Sequence, residues 1–316
     1  YVNTQGSDVD GVGFGMESAP FATIQKGIDT APAGDTVYVY AGTYFENINF
    51  NGRNVVVIGE NRETTIINGG QGGSVVTFDG GEVYNSILAG FTIKEGNATN
   101  GGGIHATLSN SIIDNCIITL NDAEGKGGGI YLNNTSAIIR NCIISYNNSN
   151  QTGDYGGGGI AALDSEVFIE NVVLENNSAL TGAGIYLWKE TMTLVNTIII
   201  NNQATNRGGG IFLTGGVLNC YNSIIYDNEP HEVRSQWNTS TIIEYNFDYN
   251  LINGGYSSIS LQNSENESFN WGGNNLNSDP LLTDPDNGDY TLQFTSPCID
   301  TGDPDLDGDG ETWFVD

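Results

Sequence analysis

Short apolar runs and polar turns alternate along residues 101–228, and the same order of residue types occurs five times. Each copy opens with a glycine-rich tripeptide followed by isoleucine, and the isoleucine returns after 26, 30, 25 and 26 residues. The apolar positions do not follow a helical period. A repeat of this length without helical periodicity predicts a solenoid built from β coils. The isoleucines that mark the repeat are Ile104, Ile130, Ile160, Ile185 and Ile211.

The coil that begins at Ile130 illustrates the predicted elements. Apolar segments at residues 130–132, 137–140 and 142–144 are separated by a polar turn and by a single asparagine. If each segment pairs with its counterpart in the next coil, neighbouring coils lie about 4.8 Å apart. The chain is therefore predicted to be all-β, a parallel β-helix with three short strands per coil. We expect it to be right-handed, as parallel crossovers usually are.

Asparagine marks two positions of every coil, six residues apart. It tolerates left-handed backbone angles and bonds to nearby backbone groups, so it suits a bend between strands. Stacked side-chain amides can also hydrogen-bond from coil to coil. We expect asparagine ladders here, and we expect the first series to lie at a buried bend. The first series is Asn115, Asn141, Asn171, Asn196 and Asn222, and the second is Asn121, Asn147, Asn177, Asn202 and Asn228.

The two ends of the chain differ from the repeats. Residues 1–35 are predicted to form an N-terminal cap, because the apolar residues between positions 21 and 31 are spaced as in a short amphipathic helix. Such a cap covers core and unpaired strand edges at the end of a solenoid. Residues 36–300 are assigned to the parallel β-helix, and residues 301–316 to an acidic C-terminal segment.

Five segments near the start of the chain share a pattern with known proteins, at residues 1–2, 6–8, 20–25, 34–37 and 41–44. They resemble secreted proteins of the pectin-lyase-like superfamily, and the repeats extend the resemblance over the chain. The C-terminal part resembles the closing coil of such proteins. The superfamily includes lyases, hydrolases, adhesins and proteins of unknown role. The resemblance therefore implies the β-helix fold more strongly than any activity.

Charge narrows the range of partners. The chain of 316 residues carries 38 acidic and 9 basic residues, a net charge of −29. This charge argues against nucleic acid and anionic membranes as partners, and against an anionic polysaccharide without bound cations. No apolar run is long enough to span a membrane. Because the chain begins at Tyr1 without methionine, we expect a mature secreted or cell-surface protein whose signal peptide has been removed. We also expect a monomer.

Four cysteines are too few for a disulfide framework in a chain of this size. Cys116 and Cys142 follow successive asparagines of the first series, so they should stack inward on adjacent coils. Their side chains would then point the same way, which disfavours a disulfide. We expect buried free thiols.

The C-terminal segment contains a pattern of acidic residues. Positions 1, 3, 5 and 12 of a twelve-residue loop are acidic and position 6 is glycine, as in calcium loops of the EF-hand type. The pattern predicts a structural Ca²⁺ site, and the alternative is a solvated acidic tail. The predicted ligands are Asp305, Asp307, Asp309, Glu311 and Asp316.

One face of the solenoid offers a candidate binding surface. If the isoleucine after each glycine run points inward, the next residue points outward. This places several aromatic and basic side chains in exposed columns that could stack against sugar rings. The alternative is that the aromatic rings pack on one another or lie under a loop. The predicted ligand-binding residues are Tyr131, Tyr186, Trp188, Phe212, Lys189 and Arg234.

Catalytic signatures are sparse. The superfamily's hydrolases use clustered aspartates and its lyases need a lysine or arginine base, and neither pattern stands out. We therefore expect a β-helix protein that binds a polysaccharide or surface glycan, or that serves in surface adhesion or assembly, without catalysis. The alternative is a polysaccharide lyase or glycoside hydrolase that acts on the exposed strand face. A building block whose coils stack end to end is disfavoured by the N-terminal cap.

Overall fold

The computed structural model describes residues 1–9, 15–150, 153, 156–236, 242–260, 267–303 and 305. Its strands form three long parallel sheets that run along one solenoid, and each strand pairs with its counterpart one coil away. The predicted all-β parallel β-helix with three short strands per coil is thus confirmed. The short runs of β-branched residues form strands because each packs one face into the core while the polar turns bend the chain.

Sheet 1 contains the strands that follow the glycine tripeptides and their equivalents. Its nine strands, in order, are Ile48–Asn49, Val76–Phe78, Ile104–Thr107, Ile130–Asn133, Ile160–Leu163, Ile185–Trp188, Ile211–Leu213, Val233–Ser235 and Ile259–Ser260.

Sheet 2 comes next along each coil. Its ten strands are Thr36–Val39, Val56–Gly59, Ser86–Ala89, Asn110–Asp114, Ser136–Arg140, Glu166–Glu170, Thr191–Val195, Gly216–Tyr221, Ile243–Asp248 and Glu267–Trp271.

Sheet 3 lies between the two asparagine positions of each coil. Its nine strands are Gly42–Phe45, Thr65–Asn68, Thr92–Lys94, Ile117–Thr119, Ile143–Ser145, Val173–Glu175, Ile198–Ile200, Ile224–Tyr226 and Leu251–Ile252.

The regular coils add a fourth short strand before the glycines. These strands form sheet 4, which contains Asn97–Ala98, Asp122–Ala123, Asn148–Ser149, Ser178–Thr181 and Gln203–Arg207.

The second asparagine series forms the buried ladder. The side-chain amide of Asn147 donates to the side-chain oxygen of Asn177 at 3.0 Å, and Asn177 donates in the same way to Asn202 at 3.0 Å. Each amide also donates to a strand carbonyl of the preceding coil, as Asn177 does to Ile144 at 2.9 Å. The five members have exposures between 0% and 5%. The ladder therefore satisfies backbone and side-chain groups that the bend would leave unpaired.

The expectation that the first series lies at a buried bend is wrong. Asn115, Asn141 and Asn171 are exposed and have φ angles of 49°, 55° and 53°. This left-handed region costs asparagine less than most residues, because its short polar side chain bonds locally. The first series is therefore selected by the backbone conformation at an exposed bend, whereas the second is selected by burial and hydrogen bonding.

The third glycine of each tripeptide leaves room for the buried ladder. A Cβ atom on Gly129 would lie 3.0 Å from the amide nitrogen of Asn147, and one on Gly103 would lie 2.9 Å from that of Asn121. The glycine and ladder positions of one coil therefore depend on each other.

A continuous apolar core fills the solenoid from Val2 to Ile259. Cys116, Cys142 and Cys220 lie inside it and are free thiols, as predicted. Burial raises the pKa of the Cys220 thiol to about 12. At the N-terminal end, the helix Ile24–Thr30 covers the first coil.

Local hydrogen bonds fix this predicted N-terminal helix. The hydroxyl of Thr23 accepts from the Lys26 amide at 3.3 Å, and the carboxylate of Glu46 accepts from the amides of Ile24 and Gln25 at 2.9 and 3.0 Å. Ile24 and Ile28 are fully buried against the first coil.

The C-terminal part does not form a closing coil, contrary to expectation. The strands Leu282–Asp284 and Asp289–Leu292 form an antiparallel hairpin around the 3₁₀ helix Pro285–Asn287. The hairpin packs on the outer face of sheet 3, where Leu282 joins a separate apolar cluster with Ile200 and Leu251. A second 3₁₀ helix, Gly255–Ser258, lies in the last coils. In the part of the chain that is described, no helix is long and apolar enough to cross a membrane.

Candidate functional site

The predicted aromatic column exists as a row of aligned residues. In sheet 1, Tyr131 pairs with Ala161, Ala161 with Tyr186, Tyr186 with Phe212, and Phe212 with Arg234. These side chains point away from the main core, because the aromatic members form a separate apolar cluster. Their direction agrees with the alternation along the strands.

The expectation that this column is exposed is wrong. Tyr186 and Phe212 are fully buried, and Tyr131 is only 8% exposed. The rings of Tyr186 and Phe212 stack with their centroids 6.0 Å apart, and a Cβ on Gly208 would lie 2.8 Å from the Phe212 side chain. The rings thus pack on one another and under the glycine turn. Their faces are not available for stacking against a sugar.

The other predicted ligand-binding residues are partly exposed but already have partners. The ammonium of Lys189 lies 4.6 Å from the centroid of the Trp188 ring and 3.5 Å from the carboxylate of Asp164. At the other end of sheet 1, the Arg234 guanidinium donates to the Ser260 hydroxyl at 2.8 Å. The structure does not bring Arg234 together with Trp188 and Lys189 at one site.

A polar groove lies instead at the bend between sheets 3 and 4. It consists of a cavity of about 750 Å³ and an adjoining cavity of about 660 Å³, and both are lined by Asn228, Glu232 and Asn253. We call the two cavities together the polar groove. The first cavity is also lined by Tyr146, Asn176, Asn177, Ser178, Asn201, Gln203, Asp227 and Glu229.

Two rows of side chains form the walls of the polar groove. Tyr146, Asn176, Asn201 and Asp227 occupy one row, and each has a positive φ angle at the bend before a ladder asparagine. The second row follows sheet 4, where Ser178 pairs with Gln203 and Gln203 pairs with Glu229. The buried ladder lies between the rows and forms the floor.

Glu232 closes the ladder at the C-terminal end of the groove. The amide of Ile211 donates to the carbonyl of Glu232 at 2.9 Å, which places Glu232 in the tripeptide position that Gly210 fills one coil earlier. Its side chain enters the space of the next ladder asparagine. The side-chain amide of Asn228 donates to the Glu232 carboxylate at 2.7 Å, and the backbone amide of Asn228 donates to both oxygens at 3.3 Å.

The carboxyl of Glu232 has an unusual proton affinity. Burial raises its pKa to about 7, hydrogen bonds from Asn228 oppose this, and the negative charge of Asp227 raises it further. Burial and the charges of Asp279 and Glu229 also raise the pKa of Asp227. The groove thus holds one buried carboxyl that can carry a proton near neutral pH beside exposed carboxylates.

The C-terminal hairpin borders this groove. The hydroxyl of Tyr290 donates to the Glu175 carboxylate, which also accepts from the Asn176 side chain at 3.1 Å. Asn176 belongs to the first row of the groove. The hairpin is therefore linked to the first row of the groove through Glu175.

The predicted calcium ligands lie mostly outside the described residues. Asp305 is described, whereas Asp307, Asp309, Glu311 and Asp316 are not. Within the described part of the chain, no group of three or more histidine, cysteine or acidic residues has the arrangement of a metal site. The calcium site stays a prediction.

Sequence reasoning missed the polar groove, although the sequence contains a signal for it. The tripeptide Gly208–Gly210 is replaced in the next coil by Pro230, His231 and Glu232. A carboxylate at a position where the earlier coils have glycine indicates that this coil differs from them in function. The replacement was not apparent from the sequence alone, because the repeat becomes shorter at this coil.

Three solved structures align with most of this chain at low sequence identity. No family model and no curated protein matches the sequence. A pectin methylesterase from carrot aligns over 84% of this chain and 90% of its own, with 13% identity and a TM-score of 0.40. A rhamnogalacturonan lyase aligns over 90% of both chains, with 13% identity and a TM-score of 0.39. A pectin methylesterase from Aspergillus niger aligns over 87% of this chain and 89% of its own, with 13% identity and a TM-score of 0.38.

The chain forms a parallel β-helix. This statement rests on the coil-by-coil pairing of the sheets. The activities of these enzymes are not transferred to the chain, because a fold of this kind supports many different functions.

Proposed function

We propose that the protein hydrolyses an uncharged polysaccharide in the polar groove. The observation that carries the proposal is Glu232, a 4% exposed carboxyl in the groove wall whose pKa is raised to about 7. A carboxyl of this kind is protonated at mildly acidic pH and can act as a general acid. Asp227 provides a second carboxylate at the same groove.

We assign the two carboxyls to the two roles of glycoside hydrolysis, general acid and general base. Glu232 donates its proton to the glycosidic oxygen as the bond from that oxygen to the anomeric carbon breaks. Water supplies the new hydroxyl on the anomeric carbon, and the Asp227 carboxylate accepts the proton that the water loses. One water is consumed for each bond broken, and transfer of that proton back to Glu232 restores the starting state.

Charge favours an uncharged substrate. The protein has a net charge of −29, and the lining of the groove includes Asp227, Glu229 and Glu232. An anionic polymer would be repelled from this site. Among the residues that line the described groove there is no lysine or arginine, and the superfamily's lyases need such a base. Elimination chemistry is therefore disfavoured.

A second candidate is non-catalytic binding of the same class of polymer. It is favoured by one observation: both oxygens of Glu232 already accept hydrogen bonds from Asn228. In this alternative Glu232 only terminates the ladder, while the amides of Asn176, Asn201 and Gln203 bind sugar hydroxyls. Both candidates fit a secreted or cell-surface location, which we propose from the resemblance to secreted proteins.

The test is product analysis in water enriched in ¹⁸O. The wild-type protein is incubated with uncharged glucans, mannans and xylans, and with polygalacturonate as the anionic comparison. Hydrolysis places one ¹⁸O atom at each new reducing end, and Glu232→Gln abolishes it while the substituted amide still accepts from Asn228. Unsaturated products would instead indicate elimination. Binding without any product would favour the second candidate.

A further inference from the structure

We infer that a linear polysaccharide lies along the solenoid axis in the polar groove, with successive sugar units over successive coils. The inference rests on the proposed binding of an uncharged polysaccharide. It adds the direction in which the polysaccharide runs, the number of sugar positions and an aromatic side chain that stacks against one sugar.

The two rows of the groove repeat once per coil. Backbone bonds link Tyr146 to Glu175, Asn176 to Ile200 and Asn201 to Tyr226, so the first row advances by one coil at each step. The three steps from Tyr146 to Asp227 correspond to about 14 Å at the usual spacing of strands. One coil is close to the length of one sugar unit in an extended chain. The groove therefore offers four successive positions, one for each coil.

The chemistry of each position suits a sugar with free hydroxyls. Three of the four coils present one side chain from each row: Asn176 with Ser178, Asn201 with Gln203, and Asp227 with Glu229. Amide groups both donate and accept hydrogen bonds, as sugar hydroxyls do. Carboxylates at the last position accept from hydroxyls and hold the bond to be broken beside Glu232.

Tyr146 closes the other end of the groove with an aromatic ring. It is 54% exposed and occupies a left-handed position with φ of 54°. An exposed ring at the end of a polar groove can stack on the face of a sugar, because aromatic side chains combine a flat apolar surface with little loss of conformational entropy. In this inference Tyr146 takes the sugar-stacking role for which the buried rings of Tyr186 and Phe212 are not accessible.

The repeat supplies matched variants for testing Tyr146. Asn176 occupies the same bend position one coil later with φ of 51°, and Leu120 occupies it one coil earlier with φ of 57°. Tyr146→Asn therefore removes the ring while keeping a residue type that this bend accepts. Leu120→Asn introduces the same residue at the same bend position, outside the lining of the groove.

The experiment measures how the affinity of the Glu232→Gln variant for oligosaccharides depends on their length. The probes are uncharged β-1,4-linked oligosaccharides of glucose, mannose and xylose with two to six units. Their binding is measured by calorimetry. We expect affinity for the sugar series that binds to rise by roughly threefold per unit up to four units and then to level off. Tyr146→Asn lowers the affinity of the longer probes by about fivefold, equal to about 1 kcal/mol. Leu120→Asn leaves it unchanged.

The outcomes separate this inference from the proposed hydrolysis. Length-dependent binding that needs Tyr146, without cleavage by the wild type, supports the inference and overturns hydrolysis. Cleavage with affinity independent of length, or with equal behaviour of Tyr146→Asn and Leu120→Asn, overturns the inference and leaves hydrolysis standing. Absence of binding across the whole series overturns both.

Discussion

The side-chain amide of Asn228 donates a 2.7 Å hydrogen bond to the carboxylate of Glu232, and this bond ends the buried asparagine ladder. All ladder amides are oriented in one direction, since each NH₂ group donates toward the next coil. At the other end, the side-chain oxygen of Asn121 accepts from the Gly96 amide at 2.9 Å. The row of aligned amides therefore presents its positive end to Glu232. Glutamate suits this position because its oxygens accept these hydrogen bonds and it has no amide group that needs a further acceptor.

The two asparagine series are predicted to respond differently to substitution. Asn177→Leu removes the acceptor of the Asn147 amides and the donor to Ile144, so it should lower the free energy of unfolding by at least about 3 kcal/mol. Asn171→Gly keeps the left-handed bend accessible and should cost less than about 1 kcal/mol. Denaturant midpoints measured side by side check this. Equal midpoints would mean that the second series does not hold the coils together.

Asp227 is predicted to be needed for turnover and dispensable for folding. Asn176 and Asn201 occupy the same bend position with φ of 51° and 55°, so Asp227→Asn fits the backbone. We expect at least about a 100-fold lower rate of hydrolysis, as for loss of a general base, with an unchanged melting temperature. Leu120→Asn is the control, because it changes the same bend position in a coil outside the lining of the groove and should leave the rate unchanged. Full activity of Asp227→Asn would exclude its role.

The raised pKa of Glu232 should make the free energy of unfolding fall as the pH rises. Its folded pKa of about 7 lies above the ordinary value of 4.5. The folded protein thus binds this proton more tightly than the unfolded chain, so the stabilising contribution is complete below pH 4.5 and is lost as the pH rises through 7. Relative to Glu232→Gln, the wild type should lose up to about 3 kcal/mol between pH 5 and pH 8. A stability difference that stays constant over this range would show that Glu232 titrates normally. The rate of hydrolysis should also fall above pH 7.

We predict that the acidic C-terminal segment binds calcium and that this binding does not affect hydrolysis in the groove. Chelator should lower the melting temperature of the wild type, and the pair Asp307→Ala with Asp309→Ala should remove that sensitivity. Hydrolysis should continue in the presence of chelator, because the proposed ion is structural. Calorimetry that detects no Ca²⁺ uptake at millimolar concentration would end the calcium hypothesis.

The sequence predicted the fold well because the fold is a repeat. Ile130 and its equivalents, the glycines before them and the two asparagine series each recur once per coil, so they reveal the strands, turns and ladders directly. The burial of Tyr186 and Phe212 could not be predicted in the same way. Alternation along a strand gives the direction of a side chain, but neighbouring rings and turns decide whether water reaches it.

The candidate site was harder to predict because it lies where the repeat changes. Glu232 stands at a glycine position, and the C-terminal hairpin that borders the groove through Tyr290 comes from a distant part of the chain. Contacts of this kind follow from tertiary packing and leave no local pattern in the sequence. Breaks in an otherwise regular repeat are therefore the positions to inspect first in such chains.

The most direct test of the proposed active site is a crystal structure of Glu232→Gln with an uncharged hexasaccharide taken from the series that binds. We predict that the sugar chain follows the solenoid axis between the two rows, with one ring against Tyr146 and one glycosidic oxygen within hydrogen-bonding distance of the substituted side chain at position 232. Sugar bound on sheet 1 near Trp188 and Lys189, or across the coils away from position 232, would contradict the account.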